Sequence, residues 1–369
     1  MVRAALGASW KCLFANDFDH KKGAAYRANW GDDELKVADI RTLKTSDLPG
    51  EVELAWGSFP CQDLSLAGSG AGLKGERSGT FYPFWDLMRG LVSEGRAPQI
   101  IALENVCGAI TSHEGKDFSS ICTTFKEAGY RYGALVVDAE LFLPHSRPRL
   151  FFVGVHESLH IPSRLCQDGP HHLWHSRGLL NARAVLPEST KKDWVWWKLP
   201  KPPVRTVRLS DLVELDAPQK CWHTPAETDA LVQMMSDLNL AKLEAAKKTG
   251  TRVVGGIYKR TRLDEWGRKV QRAEVRFDEV SGCLRTPAGG SSRQLVIVVE
   301  GKQVRSRLIT IRETARLMGL PDSYVLPQNY NEGYYLTGDG VAVPVVRHLA
   351  KYLFTPLLEQ ASQSTQLAA

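Results

Sequence analysis

Residues 52–63 read VELAWGSFPCQD, and this stretch decides the prediction of the fold. Its first five residues are a short, mostly apolar run of the kind that forms a strand, and Gly57 and Pro60 then open a loop. Cys61 follows just past the predicted strand end, where a thiol is available to react. The alternative is a buried structural cysteine, a frequent state of free cysteine in proteins.

Similar apolar runs alternate with helical stretches over the first part of the chain, which favours β-α units and a parallel sheet. The predicted strands cover residues 11–16, 52–56, 99–103, 133–137 and 150–155. The predicted helices cover residues 21–29, 80–94 and 117–128, the last bounded by Gly129 as a helix C-cap.

Glu104 follows the apolar run at residues 100–103, so a carboxylate also stands at the end of a predicted strand. The apolar approach favours partial burial, which allows a carboxyl group to hold or donate a proton near neutral pH. The alternative is a carboxylate that caps the next helix or faces solvent. Together, Cys61 and Glu104 on neighbouring strand ends predict covalent catalysis with proton delivery.

Arg147 and Arg149 stand two residues apart, immediately before the predicted strand at 150–155. That spacing places both on one face as the chain enters the strand. If they lie near Cys61, they supply the positive neighbourhood that a reactive cysteine needs. The alternative is a solvated edge.

Asp17 and Asp39 each follow a short apolar run. A carboxylate at the C-terminal end of a strand in an α/β sheet can bind a ribose diol, and an aromatic neighbour such as Phe18 can stack on adenine. Either aspartate alone is equally compatible with a turn, because aspartate is common in turns.

Composition bounds the class of protein. The 369 residues suffice for two domains, and 43% are hydrophobic. No apolar run approaches the roughly 18–20 residues of a membrane span, and the N-terminus lacks the apolar length of a signal peptide. Seven cysteines without paired spacing argue against a disulfide scaffold or structural zinc and favour the cytoplasm. A polar loop, rather than a metal site, is predicted for His171, His172 and His175.

From residue 156 to residue 304 the regular strand and helix pattern is lost, because tryptophan, proline and basic residues interleave without regular periodicity. This region is predicted to be a smaller, irregular second domain or a large insertion. The segment from Arg252 to Arg276 contains eight basic residues and three acidic ones. This excess fits contacts to phosphates, although a solvated basic face is the alternative. The net charge of +6 also favours a polyanionic partner.

Two further segments complete the pattern. Arg293 and Gln294 follow a Gly/Ser loop, and these side-chain types can contact guanine and adenine edges respectively. Thr310 and Glu313 predict a capping box, where a regular helical pattern resumes. The apolar segment at residues 341–354 is predicted to pack back on the first domain.

Six segments in this order resemble the motifs of the DNA (cytosine-5) methyltransferase family. They read ANDFD at 15–19, GSFPCQ at 57–62, ENV at 104–106, RPR at 147–149 and GDGVAV at 338–343, together with the segment 305–322. The resemblance implies an α/β fold with the Rossmann-like sheet of S-adenosylmethionine-dependent methyltransferases. It assigns residues 1–155 to the catalytic domain, 156–304 to a target-recognition domain, 305–360 to a returning C-terminal segment and 361–369 to a polar tail.

The resemblance also implies roles for individual residues. Cys61 would attack C6 of a flipped cytosine, Glu104 would hold N3 and the exocyclic amine, and Arg149 would contact O2, with Arg147 supporting the site. The residues that shape the loop around the base would be Pro60 and Gln62.

On the cofactor side, the resemblance implies that Asp17 binds the ribose, Phe18 stacks on the adenine, and Asp39 contacts the adenine amine with Ile40 beside it. The remaining cofactor-binding positions would be Pro60, Asp339 and Val341.

The implied partner is double-stranded DNA, bound by a monomer that acts with a cognate restriction endonuclease or as an orphan enzyme. The DNA-binding residues would be Arg260, Arg262, Arg293 and Gln294.

Three departures from the family pattern stand out. The chain begins after the family's first strand and its Phe-x-Gly-x-Gly loop, so we expect the natural protein to begin upstream. The family usually has Gln where His145 stands and often Asn where Asp339 stands; His145 can still donate a hydrogen bond. Alternative functions are a catalytically impaired DNA-binding homologue and an RNA cytosine-5 methyltransferase. A cysteine hydrolase would need a His partner for Cys61, and none is evident in the sequence.

Overall fold

The computed structural model describes residues 1–59, 79–286 and 293–359, which form two compact units. The first unit comprises residues 2–59, 79–138, 148–202 and 345–359. The second unit comprises Met1 and residues 139–147, 203–286 and 293–344. Residues 156–202 therefore pack in the first unit, although they belong to the predicted middle domain. The functional division into catalytic and target-recognition domains stays a prediction.

The first unit contains six strands. They are β1 (Ala15–Asp17), β2 (Leu35–Val37), β3 (Leu54–Ser58), β4 (Ile100–Val106), β5 (Tyr130–Asp138) and β6 (Pro148–His156). Strands β1 and β2 form a parallel pair, and the other four form a sheet in the order β3-β4-β6-β5. All five predicted strands in this region are present, with bounds shifted by a few residues.

The prediction of a parallel sheet is correct for two pairs of strands and wrong for the rest. Strand β3 is parallel to β4, but β6 is antiparallel to both β4 and β5. The cause is the connection between β5 and β6, residues 139–147, because a parallel crossover needs about a dozen residues or more.

Helices cover the sheet of the first unit. Those that lie wholly in this unit are Val2–Leu6, His20–Trp30, Phe81–Ser93, Lys116–Glu127, Arg177–Ala184 and Glu188–Lys191. The helices Phe81–Ser93 and Lys116–Glu127 contribute to an aromatic core, where Phe125 lies between Trp85 at 4.8 Å and Tyr132 at 5.6 Å, measured between ring centroids. Gly129 adopts φ +76° just past the helix Lys116–Glu127, which confirms the predicted C-cap.

The second unit is built on a regular antiparallel sheet in the order β10-β9-β7-β8. Its strands are β7 (Arg252–Leu263), β8 (Lys269–Arg276), β9 (Leu295–Glu300) and β10 (Gln303–Leu308). Its helices are Leu209–Leu212, Pro225–Gln233, Asp237–Lys248, Ile311–Leu317 and Tyr330–Asp339. One face of the sheet packs on Leu231, Met235 and Leu243. The prediction of an irregular region is therefore wrong for this sheet.

The sequence pattern failed there because β7 has two different halves. Residues 254–257 are buried, whereas residues 260–263 are exposed and mostly polar. A strand that is core at one end and exposed at the other shows neither clean alternation nor a continuous apolar run.

A buried ion pair links β10 to the helix that follows it. The Arg307 guanidinium donates to the Glu313 carboxylate at 2.5 Å and 2.8 Å, and both side chains are at most 1% exposed. Glu313 also accepts from the backbone N–H of Thr310, and Thr310 Oγ1 accepts from the N–H of Glu313, which confirms the predicted capping box. One carboxylate thus serves both the helix cap and a buried charge.

Replacing Glu313 with alanine is expected to lower the free energy of unfolding of the second unit by about 3–5 kcal/mol, because it leaves the buried Arg307 charge uncompensated. The loss is measured as the difference in unfolding free energy between the variant and the unmodified chain. Unfolding in urea is monitored through hydrogen exchange of the backbone amides in β9 and β10. Asp322→Ala is the control, since Asp322 also pairs with an arginine, Arg316, but at an exposed site. Equal losses in the two variants would show that burial does not decide the effect.

The C-terminal stretch from Tyr330 to Glu359 has the length and mean hydropathy of a membrane span. Its backbone is not helical at residues 340–342, and 61% of its most apolar window is buried in the protein. These features are those of core helices. Of the apolar segment predicted to pack on the first domain, residues 345–354 belong to the first unit, whereas residues 341–344 belong to the second.

Candidate active site

Two parallel strands of the first unit end side by side. Ser58, near the end of β3, pairs with Glu104 on β4. Pro60, Cys61 and Gln62 follow Ser58 within four residues of sequence but lie outside the described residues, so their predicted roles stay predictions. The strand that leads into Cys61 therefore ends beside Glu104.

Glu104 is 6% exposed, which confirms the predicted burial of this carboxylate and excludes the solvent-facing alternative. Arg149 is on β6, the antiparallel neighbour of β4, and pairs with Val106 of β4. It is therefore diagonal to Glu104, and the two side chains lie on the same face of the sheet. Its Nε lies 3.1 Å from Glu104 Oε1 in an ion pair, and the Arg149 side chain is 13% exposed. A carboxylate and a guanidinium are thus fixed against each other at the strand ends.

Arg147 is buried rather than solvated. Its guanidinium, in the second unit, donates to three carbonyl oxygens: Leu284 at 3.0 Å, Gly338 at 2.7 Å and Gly340 at 2.5 Å. The alternative that Arg147 and Arg149 stand at a solvated edge is therefore wrong for both residues. Arg147 ties together two segments of the second unit, and its predicted support of the catalytic site stays a prediction.

His145 is fully buried, and both ring nitrogens have backbone partners. Nδ1 donates to the carbonyl oxygen of Leu317 at 3.0 Å, and Nε2 accepts from the N–H of Leu284 at 3.2 Å. One donor and one acceptor require the neutral imidazole with its proton on Nδ1. The prediction that His145 still donates a hydrogen bond is confirmed, and a glutamine amide offers the same donor and acceptor.

The candidate cofactor residues of the first unit follow β1 and β2. Asp17 ends β1 and pairs with Val37 at the end of β2, so Asp17 and Asp39 stand past the same edge of a parallel pair. Asp17 Oδ1 accepts from the N–H of Asp19 at 2.9 Å. Hydrogen bonds from Arg41 lower the pKa of Asp39, which stays a carboxylate at neutral pH.

Phe18 is 66% exposed, an unusual state for a large aromatic ring, and it directly follows Asp17. An exposed ring beside two carboxylates at strand ends fits an adenosine group, since the ring can stack on a base and the carboxylates can accept from hydroxyl and amine groups. Ile40 packs against the core of the first unit. In the second unit, Asp339 is exposed at the end of its helix and Val341 is buried.

Burial lowers the reactivity of three described cysteines: Cys107, Cys122 and Cys166. Cys107 follows β4 directly, and burial raises the pKa of its thiol to about 11. Burial also raises the pKa values of Cys122 and Cys166. Since the thiolate is the reactive form, these raised pKa values lower the reactive fraction of the three thiols at neutral pH.

The candidate DNA-binding residues lie in the second unit. Arg260 and Arg262 on β7 both pair with Glu274 on β8. Arg293 donates to Asn331 Oδ1 at 2.5 Å. Gln294 is 2% exposed and donates to Ser281 Oγ, so reading a base would require its side chain to leave that partner. Their roles on DNA stay predictions.

The predicted histidine loop is held by its own hydrogen bonds. The N–H of His171 donates to His175 Nδ1 at 2.9 Å, and burial lowers the pKa of His175 to about 4. Within residues 1–59, 79–286 and 293–359, no group of His, Cys, Asp and Glu side chains is arranged to hold a metal ion.

Comparison with known proteins identifies one family. The model of the C-5 cytosine-specific DNA methylase family matches residues 3–355. The Type II methyltransferase M.Bsp6I of Bacillus sp. (strain RFL6) is 24% identical over 366 residues, which cover 95% of this chain and 93% of the relative. The Type II methyltransferase M.MthTI of Methanothermobacter thermautotrophicus is 26% identical, covering 93% and 90% respectively. A DNMT2 mutant structure from Spodoptera frugiperda has a similar fold, with a TM-score of 0.58 at 18% identity over 96% of both chains.

Proposed function

Because the chain belongs to the C-5 cytosine-specific DNA methylase family, we propose that it methylates C5 of cytosine within a short sequence of double-stranded DNA. The methyl donor of this family is S-adenosylmethionine. The observation that carries the proposal is the buried pair of Glu104 and Arg149 beside Ser58, at the end of the strand that leads into Cys61. On this proposal, Glu104, Arg149 and Cys61 would act on the same base.

The reaction needs a nucleophile because C5 of cytosine is only weakly nucleophilic. The Cys61 thiolate forms a bond to C6, and the electron pair of the C5–C6 double bond moves into the ring. C5 then has enamine character and would attack the methyl group that S-adenosylmethionine supplies, with S-adenosylhomocysteine as the leaving group. Water then takes the proton from C5, the thiolate leaves C6 to restore the double bond, and the proton on N3 returns to Glu104, so the enzyme leaves the cycle unchanged.

Glu104 stabilises the ring while Cys61 is attached. A protonated Glu104 donates to N3, where negative charge develops, and its second oxygen accepts from the exocyclic amine. Arg149 orients this carboxyl group through the 3.1 Å contact at Oε1 and provides a cation for the base O2. The base must leave the duplex to reach a site at buried strand ends, by base flipping.

The residues proposed to bind the cofactor are those that the family resemblance implies. In the first unit, Phe18 offers its exposed ring to the adenine, Asp17 accepts from the ribose hydroxyls, and Asp39 accepts from the adenine amine beside Ile40. Pro60, Asp339 and Val341 complete the proposed set.

The second unit contains the residues proposed to bind the duplex: Arg260, Arg262, Arg293 and Gln294. The region from residue 156 to residue 304 would act as the target-recognition domain. The enzyme would act as a monomer in the cytoplasm, with a cognate restriction endonuclease or as an orphan. An RNA substrate and a catalytically impaired DNA-binding homologue are the alternatives.

Bisulfite sequencing of host DNA with and without expression of the chain tests the proposal. We expect protected cytosines within one short sequence only in the expressing cells, and that sequence is the target. Calorimetry with S-adenosylmethionine separates the alternatives. A chain that binds duplex, does not bind the cofactor and protects no cytosine would be the impaired homologue. Protected cytosines confined to RNA would identify an RNA methyltransferase.

A further inference from the structure

Strands β7 and β8 continue past the core of the second unit as a two-stranded ribbon, here residues 259–273. At its base Lys259 pairs with Ala273, which is fully buried, and at its far end Leu263 pairs with Lys269. At about 3.3 Å per residue, the ribbon extends by about 13 Å before its turn. An isolated two-stranded ribbon is marginally stable in water, so a surface that it contacts would stabilise it.

The ribbon is strongly basic. It contains six basic residues and two acidic ones. Arg260 stands directly opposite Arg272, an arrangement of like charges that costs stability in a sheet. Arg262 lies on the same face two residues further on, and Glu274 contacts both Arg260 and Arg262. Such a face is complementary to a polyanion.

The turn of the ribbon fixes an exposed aromatic ring. Asp264 Oδ1 accepts from the backbone N–H groups of Trp266 at 3.0 Å and Arg268 at 2.8 Å, and Gly267 adopts φ +75°. Trp266 is 69% exposed, with the Arg268 guanidinium carbon 4.6 Å from its ring centroid. Leu263, at the strand end beside the turn, is 68% exposed. The tip of the ribbon therefore presents two large exposed apolar side chains, Trp266 in the turn and Leu263 beside it.

We propose that this ribbon enters the major groove of the duplex substrate. The major groove of B-DNA admits a two-stranded ribbon, and apolar side chains there contact base edges such as the thymine methyl group. Arg260, Arg262 and Arg272 contact phosphates, while Trp266 and Leu263 contact base edges. The inference rests on the proposed function, because it describes how the duplex of that reaction is held.

The number of basic residues in the sequence predicts the charge of the ribbon, but it does not predict the exposed apolar side chains at the tip of the ribbon. The signal for the tip is the segment DEWGR at residues 264–268, a turn with Asp first, Gly fourth and a tryptophan between them. A tryptophan in a polar turn has no core to enter.

The test compares Trp266→Ala and Leu263→Ala with Leu238→Ala in the full chain. Leu238 is the matched control, since it is also 68% exposed in the second unit but lies on a helix away from the ribbon in sequence. The equilibrium dissociation constant for a fluorescent target duplex is measured by anisotropy over a series of salt concentrations. Methyl transfer at saturating duplex is measured in parallel.

We expect Trp266→Ala to raise the dissociation constant about tenfold or more with an unchanged salt slope, because an apolar contact is lost. Leu263→Ala weakens binding in the same way, and Leu238→Ala does not. Arg262→Gln weakens binding to all sequences and lowers the salt slope by about 1, because one phosphate contact is lost. The Leu238 variant should also keep the rate at saturating duplex.

Binding by Trp266→Ala and Leu263→Ala that equals binding by Leu238→Ala would overturn the proposal. So would a Trp266→Ala protein whose rate falls at saturating duplex while its affinity is unchanged. If the unmodified chain binds duplex but transfers no methyl group, the proposed function fails, and the anisotropy series still decides the ribbon.

Discussion

Replacing Cys61 with alanine is expected to lower the rate of methyl transfer by at least about 10³-fold, as removal of an enzymatic nucleophile does elsewhere. Without the thiolate, C5 of the cytosine gains no enamine character and the ring does not take the methyl group. Binding of S-adenosylmethionine and of duplex should change little. The measurement is transfer of labelled methyl groups to a target duplex, with calorimetry for the cofactor.

Two further cysteine variants make this prediction specific. Cys221→Ala is the control, since Cys221 is an exposed thiol in the second unit. Cys107→Ala tests the rival thiol nearest to Glu104 in the sequence, and its raised pKa predicts nearly full activity. Loss of transfer in the Cys107 variant, with retention in the Cys61 variant, would reassign the nucleophile.

Replacing Glu104 with glutamine is expected to lower the turnover number by about 10²–10⁴-fold, the range that one acid or base group contributes. The amide keeps the size of the carboxyl group but cannot deliver a proton to N3. Arg149 would also lose the carboxylate that it contacts at 3.1 Å. Because the base still enters the site, the Michaelis constant for duplex should change less than the turnover number.

Glu53→Gln is the control for this variant, because Glu53 is an exposed carboxylate directly before β3. It should keep the turnover number of the unmodified chain. A Glu104→Gln protein with a normal turnover number and a raised Michaelis constant for duplex would show that Glu104 binds the base without taking part in the chemistry. Single-turnover rates separate the two outcomes.

Local sequence signals predicted much of the first unit. Glu104 was recognised because an apolar run leads directly into it, and the structure places that run in β4 with the carboxylate buried. Gly129 and the capping box at Thr310 and Glu313 were predictable, because helix ends are determined by a few adjacent residues. Such features need no knowledge of distant parts of the chain.

Long-range pairings were not predictable in the same way. The direction of β6 depends on the short connection before it, and the partners of Arg147 are carbonyl groups more than a hundred residues away in sequence. The ion pair of Glu104 and Arg149 depends on the antiparallel register of β4 and β6. Spacing along the chain encodes none of these contacts.

The most direct test of covalent catalysis by Cys61 uses a target duplex in which 5-fluorocytosine replaces the cytosine identified by bisulfite sequencing. Fluorine at C5 cannot leave as a proton does, so the adduct should persist after methyl transfer in the presence of S-adenosylmethionine. The account predicts a stable protein–DNA complex whose mass includes one methyl group, with the bond mapped to the peptide that contains Cys61. No adduct, or an adduct at another cysteine such as Cys107, would contradict it.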